Sequence, residues 1–207
     1  MFHDRTDAGE RLAAELDRRG LDADIVLGIP RGALPVARPV ADALDADLDV
    51  VVARKLGAPG NPELAIGAVA SSGSVWYNDD LIDRLGVDEE YLESVRREEA
   101  ENAKAKADRY RDRPGLPALE GKHVVVVDDG VATGATARAC LRQVRDANAA
   151  SVALAVPVGS PRSVDDLERE ADDVIALEAP RNFQAVGQFY RDFGQVTDEE
   201  AIEYLEE

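Results

Sequence analysis

Apolar runs and stretches of helical spacing alternate along this chain with enough regularity to predict its architecture. Asp24 to Gly28, Asp49 to Ala53, Ile66 to Ala70, His123 to Asp128, Ser151 to Pro157 and Asp173 to Leu177 read as strands. Most are apolar at consecutive positions, as in the parallel strands of a sheet covered on both faces. Between them, Asp7 to Arg19 places Leu12, Ala13 and Leu16 on one helical face and is stopped by Gly20. Leu34 to Leu44, Glu89 to Tyr110, Ala135 to Ala147 and Ser163 to Glu170 read as the other helices. The order predicts βαβ units, hence an α/β fold whose mostly parallel sheet carries helices on both faces. Glu89 to Tyr110 is charged on most sides, which predicts a solvent-facing lid or buttress. No Pro/Gly/Ser-rich linker and no repeat divides the 207 residues, so a single domain over 1–207 is expected.

Open α/β sheets bind ligands where loops leave the carboxyl ends of strands. Three loops qualify here, Gly28 to Ala33, Arg54 to Ala65 and Asp128 to Thr136, with Arg181 to Val196 as a fourth contributor. The valine run Val124 to Val127 ends in Asp128, Asp129, Gly130, Val131, Ala132, Thr133, Gly134, Ala135 and Thr136, followed by an Ala-rich helix. Unpaired N–H groups and the helix dipole at such a start favour a phosphate monoester. Gly134 and Ala135 allow close approach, and the Thr133 and Thr136 hydroxyls can donate to phosphate oxygens. The adjacent carboxylates would repel that phosphate. They suit the cis hydroxyls of a polyol and a hydrated Mg²⁺, which takes one or two carboxylates plus phosphate oxygens. Arg54 and Lys55 open a stretch through Gly57, Pro59, Gly60 and Pro62 to Glu63 that is too rich in breakers for helix or strand, so a flexible loop is expected there.

Charge narrows the partners. There are 42 acidic residues against 24 basic ones, a net −18 that repels nucleic acid and anionic membrane, and no basic helix-turn-helix segment is present. With only Lys55, Lys104, Lys106 and Lys122 as lysines, the Asp-rich composition is similar to that of proteins from salt-accumulating organisms. No apolar run approaches the roughly 20 residues of a membrane span, and Met1 to Asp7 has no signal-like core, so a cytoplasmic location is expected. Cys140 sits in a helical pattern beside Leu141 and reads as packing. His3 and His123 lack ligand spacing, which argues against a metal hydrolase.

The hydrophobic strand, two acids and Thr-Gly-x-Thr resemble the motif by which type I phosphoribosyltransferases bind 5-phosphoribosyl-1-pyrophosphate (PRPP). The resemblance implies that Asp128 and Asp129 meet the ribose hydroxyls and Mg²⁺, that the loop from Val131 to Thr136 holds the 5-phosphate, and that Gly130 belongs to the same PRPP-binding segment. Pro30, Arg31 and Gly32 are similar to the pyrophosphate loop, in which a cis non-proline peptide would fall at Pro30 to Arg31. Arg54 and Lys55 match a basic pair of adenine-type enzymes that reaches pyrophosphate under a closing loop. Glu63 would be either a catalytic or lid carboxylate or a solvated loop charge. Ala132 stands where hypoxanthine- and guanine-type enzymes have an aspartate, which points away from a 6-oxopurine acceptor.

Over the whole chain, resemblance is greatest to phosphoribosyltransferases of unassigned substrate, through Arg54 to Val69 and Phe183 to Gly187. Such proteins recognise the base with a variable hood, here the candidate segment 181–207. Its Phe183 and Phe189, near Tyr190 and Phe193, would either stack on the ring or pack a C-terminal core. The implied function is transfer of 5-phosphoribosyl from Mg-PRPP to a small nitrogenous base with release of pyrophosphate. The alternative is a non-catalytic PRPP- or nucleotide-binding regulator on the same fold. An amidophosphoribosyltransferase would need a nucleophilic N-terminal Cys, whereas the chain opens Met1-Phe2-His3. A homodimer is left open.

Overall fold

A computed structural model describes residues 1–111 and 115–206. In chain order its elements are α1 (Arg5–Arg19), β1 (Ile25–Gly28), α2 (Leu34–Leu44), β2 (Asp47–Val50), β3 (Ala53–Ala58), β4 (Asn61–Ala70), β5 (Val75–Tyr77), α3 (Asp79–Leu85) and α4 (Glu89–Ala107). There follow β6 (His123–Val127), α5 (Ala135–Asp146), β7 (Ser151–Val158), α6 (Pro161–Leu167), β8 (Asp173–Glu178) and α7 (Asp198–Glu206), with a 3-10 turn at Val186–Phe189 before α7.

Five strands form the central sheet in the order β2-β1-β6-β7-β8, all parallel. The valine run of β6 shows why the strands read as continuously apolar. Val125 and Val127 pack with Leu12, Leu16, Val36 and Val40 of α1 and α2, while Val124 and Val126 pack with Leu141 and Val144 of α5. Side chains alternate between faces and both faces are covered, so no polar position is spared. The helices begin and end where local chemistry dictates. Asp4 accepts the Asp7 N–H at the start of α1, and Gly20 closes it at φ 65°.

The expectation for Arg54 to Ala65 needs correction. Instead of a loop, the segment forms most of the hairpin β3–β4, which with β5 makes a separate antiparallel sheet of three strands. Its breakers sit where a hairpin tolerates them. Gly60 turns the tip at φ 73°, and the register jumps from Gly57 opposite Ala65 to Ala58 opposite Asn61, so Pro62, Glu63 and Leu64 bulge out of the ladder. A Cβ on Gly57 would lie 2.7 Å from the Pro62 backbone, which is why the strand can pass so close there.

Two strand assignments change with it. Asp49 to Ala53 is broken after Val50, and Ala53 starts the second sheet. Ile66 to Ala70 pairs antiparallel within that sheet and stands outside the parallel one. The charged helix α4 is a buttress: Tyr91, Leu92 and Val95 pack on the hairpin, and Ala103 and Ala107 are buried with Leu34, Val50 and Val52. The first residues meet the segment before α7, since Phe2 bridges Tyr190 and donates its N–H to the Phe189 carbonyl at 2.7 Å. Among the described residues, no helix is long and apolar enough to cross a membrane.

Candidate functional site

β1 and β6 are neighbours, and the chain departs from them in opposite directions along the sheet, to β2 and to β7. The crevice at their carboxyl ends is therefore the switch point at which this kind of sheet receives ligands. Two of the sequence-selected loops border it, Gly28 to Ala33 after β1 and Asp128 to Thr136 after β6.

The second loop is pinned from below. Val131 bridges Gly159, and the Ala132 carbonyl accepts the hydroxyls of Ser160 at 2.8 Å and Ser163 at 2.6 Å. Gly134, at φ 75°, starts α5 with no side-chain cap, so the first N–H groups of the helix are left for a ligand. They border a cavity of about 190 Å³ that is also lined by Thr133, Thr136 and Lys55. Val186 of the C-terminal segment lines the same cavity and lies so close to Gly130 that a Cβ there would overlap it.

The two acids stand at the mouth of this loop. Asp129 donates its N–H to Asp128 Oδ1 at 2.9 Å. Arg5 Nε donates to Asp129 Oδ2 at 2.8 Å, and the Tyr190 hydroxyl donates to the Asp129 carbonyl at 2.6 Å. Burial, and then the Asp129 charge, push Asp128 well above the ordinary carboxylate value. Burial raises Asp129 as well, with the Arg5 charge pulling against it. A Cβ on Gly32 would overlap the Asp129 carboxylate, so glycine is what lets the first loop lie against the acid.

In that first loop the Pro30–Arg31 peptide is cis, at the position the resemblance indicated. Arg31 is part-exposed, with Nη1 3.9 Å from Asp198 of α7. Lys106 of α4 reaches over and donates to the Pro30 carbonyl at 2.7 Å. A second cavity of about 530 Å³ lies between this loop, the hairpin and α4, lined among others by Arg54, Lys55, Glu63, Lys106 and Thr136. Lys55 and Thr136 line both cavities. Arg54 is held by Glu99 at 2.9 Å, and Glu63 is exposed on the bulge. Burial pushes the Lys106 ammonium below its ordinary value, and the charges of Arg54 and Arg31 push the same way.

The aromatic candidates sit apart from this centre. Phe183 stacks on Phe189 with centroids 5.4 Å apart, and Phe189 is buried beside Phe2, Ala8 and Val158. Among the described residues, Val186 is the hood side chain that borders the phosphate-loop cavity, and Phe183 and Phe189 do not.

Arg5 and Lys106 were absent from the sequence-selected set. Neither lies in a motif, and only tertiary packing brings them to the loops. Among the described residues there is no cluster of three or more His, Cys, Asp or Glu that could cage a metal. Of the two acids expected to meet Mg²⁺, Asp129 is already paired with Arg5, and Asp128 offers the carboxylate that fits an ion completing its shell with water and phosphate oxygens.

Residues 2–193 match the model of the phosphoribosyl transferase domain. A Mycobacterium tuberculosis protein provisionally named a phosphoribosyl transferase is 43% identical over 206 residues, a match that takes in 100% of this chain and 46% of the relative. This chain thus spans about half the length of the curated relatives it matches. A crystal structure from Thermus thermophilus superposes with a TM-score of 0.83 at 45% identity, covering 99% of this chain and 97% of that one. An Aquifex aeolicus protein of 15% identity shares the fold, with a TM-score of 0.52 over 83% of this chain and 73% of its own.

Proposed function

The chain belongs to the phosphoribosyl transferase domain family, and from that premise we propose that it transfers 5-phosphoribosyl from Mg-PRPP to a small nitrogenous base, releasing pyrophosphate. One observation carries the reading. An uncapped helix start lines a small cavity that shares Lys55 and Thr136 with a larger cavity walled by Arg54 and Lys106, with Asp128 and Asp129 beside them. That arrangement suits a ligand with a monophosphate at one end, a diphosphate at the other and a diol between them.

In this reading the 5-phosphate takes the first N–H groups of α5 and the Thr133 and Thr136 hydroxyls. Asp128 and Asp129 accept the ribose 2- and 3-hydroxyls, and Mg²⁺, when bound, supplies positive charge against the phosphate oxygens. Pro30 and Gly32 shape the loop that presents Arg31. Arg31, Arg54, Lys55 and Lys106 stabilise negative charge gathering on the departing diphosphate, and the base nitrogen attacks C1 from the opposite face. The β3–β4 hairpin, carrying Glu63, covers the diphosphate side and keeps water from the cation-like ribose. Val186, over Gly130, closes the C-terminal side of the phosphate-loop cavity.

The test is incubation with Mg-PRPP and a panel of purine and pyrimidine bases, with pyrophosphate release as the readout. Base-dependent release establishes the transferase. Binding of PRPP without release from any base leaves the non-catalytic regulator, and failure to bind millimolar PRPP overturns both readings.

A further inference from the structure

Two adjacent carboxylates that differed only in sequence position would share their ligands equally. Here they differ in what surrounds them. Arg5 comes from the first turn of α1, 124 residues before Asp129, and meets it at 2.8 Å with side-chain exposures of only 11% and 16%. The guanidinium is also fixed on its other sides. Nη1 donates to the Gly194 carbonyl at 2.7 Å, and the Phe193 ring lies beneath it at 3.8 Å. The Asp129 backbone is tied to the same C-terminal segment through the Tyr190 hydroxyl. Of the two acids, only Asp129 is ion-paired among the described residues.

We infer that Arg5 is a built-in counter-ion that positions Asp129 for the ribose diol and leaves Asp128 as the carboxylate that meets a divalent cation. The inference deepens the phosphoribosyl reading and rests on it for the identity of the diol. A cation on Asp129 would sit a few ångströms from a fixed guanidinium, in a partly buried site where screening is weak, whereas Asp128 forms no ion pair among the described residues and feels the Lys106 and Arg5 charges only from beyond ion-pair distance. With Arg5 in place the acid pair carries one net negative charge. Free divalent metal is then held weakly, and the ion enters as the Mg-PRPP complex. The same contacts join both ends of the chain to the ribose acid, so Arg5 acts through Asp129 as a positioning residue.

Mn²⁺ alone, followed by its electron paramagnetic resonance signal in the absence of PRPP, is the probe. Arg5→Met should bind Mn²⁺ at least tenfold more tightly than the parent, because the pair regains its second charge. Arg5→Lys should stay within threefold of the parent. The double variant Arg5→Met/Asp129→Asn removes both charges, avoids a buried unpaired carboxylate and should return to within threefold of the parent. Asp128→Asn should lose Mn²⁺ binding. If Arg5→Met is too unstable to titrate, the double variant and Asp128→Asn still decide the matter. A double variant tenfold away from the parent, a folded Arg5→Met with unchanged affinity, or an Asp128→Asn that binds as the parent does would overturn the inference. Since the titration contains no PRPP, failure of the parent to bind PRPP would sink the functional reading and leave this result standing.

Discussion

At the scale of single residues, the end of the site proposed to take the diphosphate holds cations with unequal partners. Arg31 is only loosely held by Asp198 at 3.9 Å, while Lys106 donates to a neutral carbonyl. Both are available to an anion. A charge-assisted hydrogen bond contributes about 1.5 to 3 kcal/mol, and about 1.4 kcal/mol is a factor of ten in affinity. Arg31→Ala and Lys106→Met should each weaken PRPP and pyrophosphate by tenfold or more and leave ribose 5-phosphate within about twofold, as read by calorimetry. Equal losses for all three ligands would remove that residue from the diphosphate site.

Lys106 adds a pH signature. Its folded pKa lies below the ordinary 10.5, chiefly because it is buried. The unfolded chain therefore holds that proton to higher pH than the folded protein does, so the penalty of the charged lysine on folding is full below the depressed value and is relieved as pH rises from there to 10.5. A bound diphosphate favours the protonated form. Pyrophosphate affinity should accordingly be full below the depressed value and fall as pH rises through it, with proton uptake on binding across that window. Lys106→Met should abolish this component of the pH dependence, and a profile unchanged in the variant would sink the assignment.

At the scale of elements, α4 is the buttress that the sequence offered beside a lid, and its contacts show what it braces. Its charged faces read as a surface helix, yet Tyr91 donates its hydroxyl to the Gly57 carbonyl at 2.8 Å and Glu99 holds Arg54 at 2.9 Å. The helix thus supports the hairpin and ties up one of the cations that line the cavity. Glu99→Gln should release Arg54 and strengthen pyrophosphate binding by a few-fold without altering ribose 5-phosphate, and weaker pyrophosphate binding would show instead that Glu99 aligns Arg54 for the ligand.

The contrast between α4 and β6 explains what was legible. The valine run with its acids and Thr-Gly-x-Thr is contiguous, so the parallel strand, the turn and the helix start are written in one string. The same holds for Pro30, Arg31 and Gly32. Arg54 to Ala65 misled because its prolines and glycines suit a bulged hairpin as well as a loop, and local composition does not distinguish the two. Arg5 and Lys106 carried no signal, since only tertiary packing makes them part of the site. β5, α3 and α7 span only 3, 7 and 9 residues, too short for periodicity to register.

At the scale of the whole molecule, a net charge of −18 acts on every equilibrium the protein takes part in. Favourable pairs such as Arg18 with Glu15 and Arg11 with Asp7 lie on exposed helix faces, where each contributes little. The unpaired excess of acid remains and repels itself over the Debye length, about 10 Å at 0.1 M salt. Raising KCl to 1 M shortens that length to about 3 Å and removes most of the repulsion, while weakening pairs that were worth little to begin with. Repulsion is the larger of the two effects, so the melting temperature should climb steadily between 0.1 and 1 M KCl. The cavity lined by Arg54, Lys55 and Lys106 runs against this trend, because its attraction for a polyanion is screened by the same ions. PRPP affinity should therefore fall over the salt range that raises stability, when both are measured on one preparation by thermal melts and calorimetry. A melting temperature that drops with KCl would mean that the ion-pair network outweighs the acidic excess, and the salt-adapted reading of the composition would be lost.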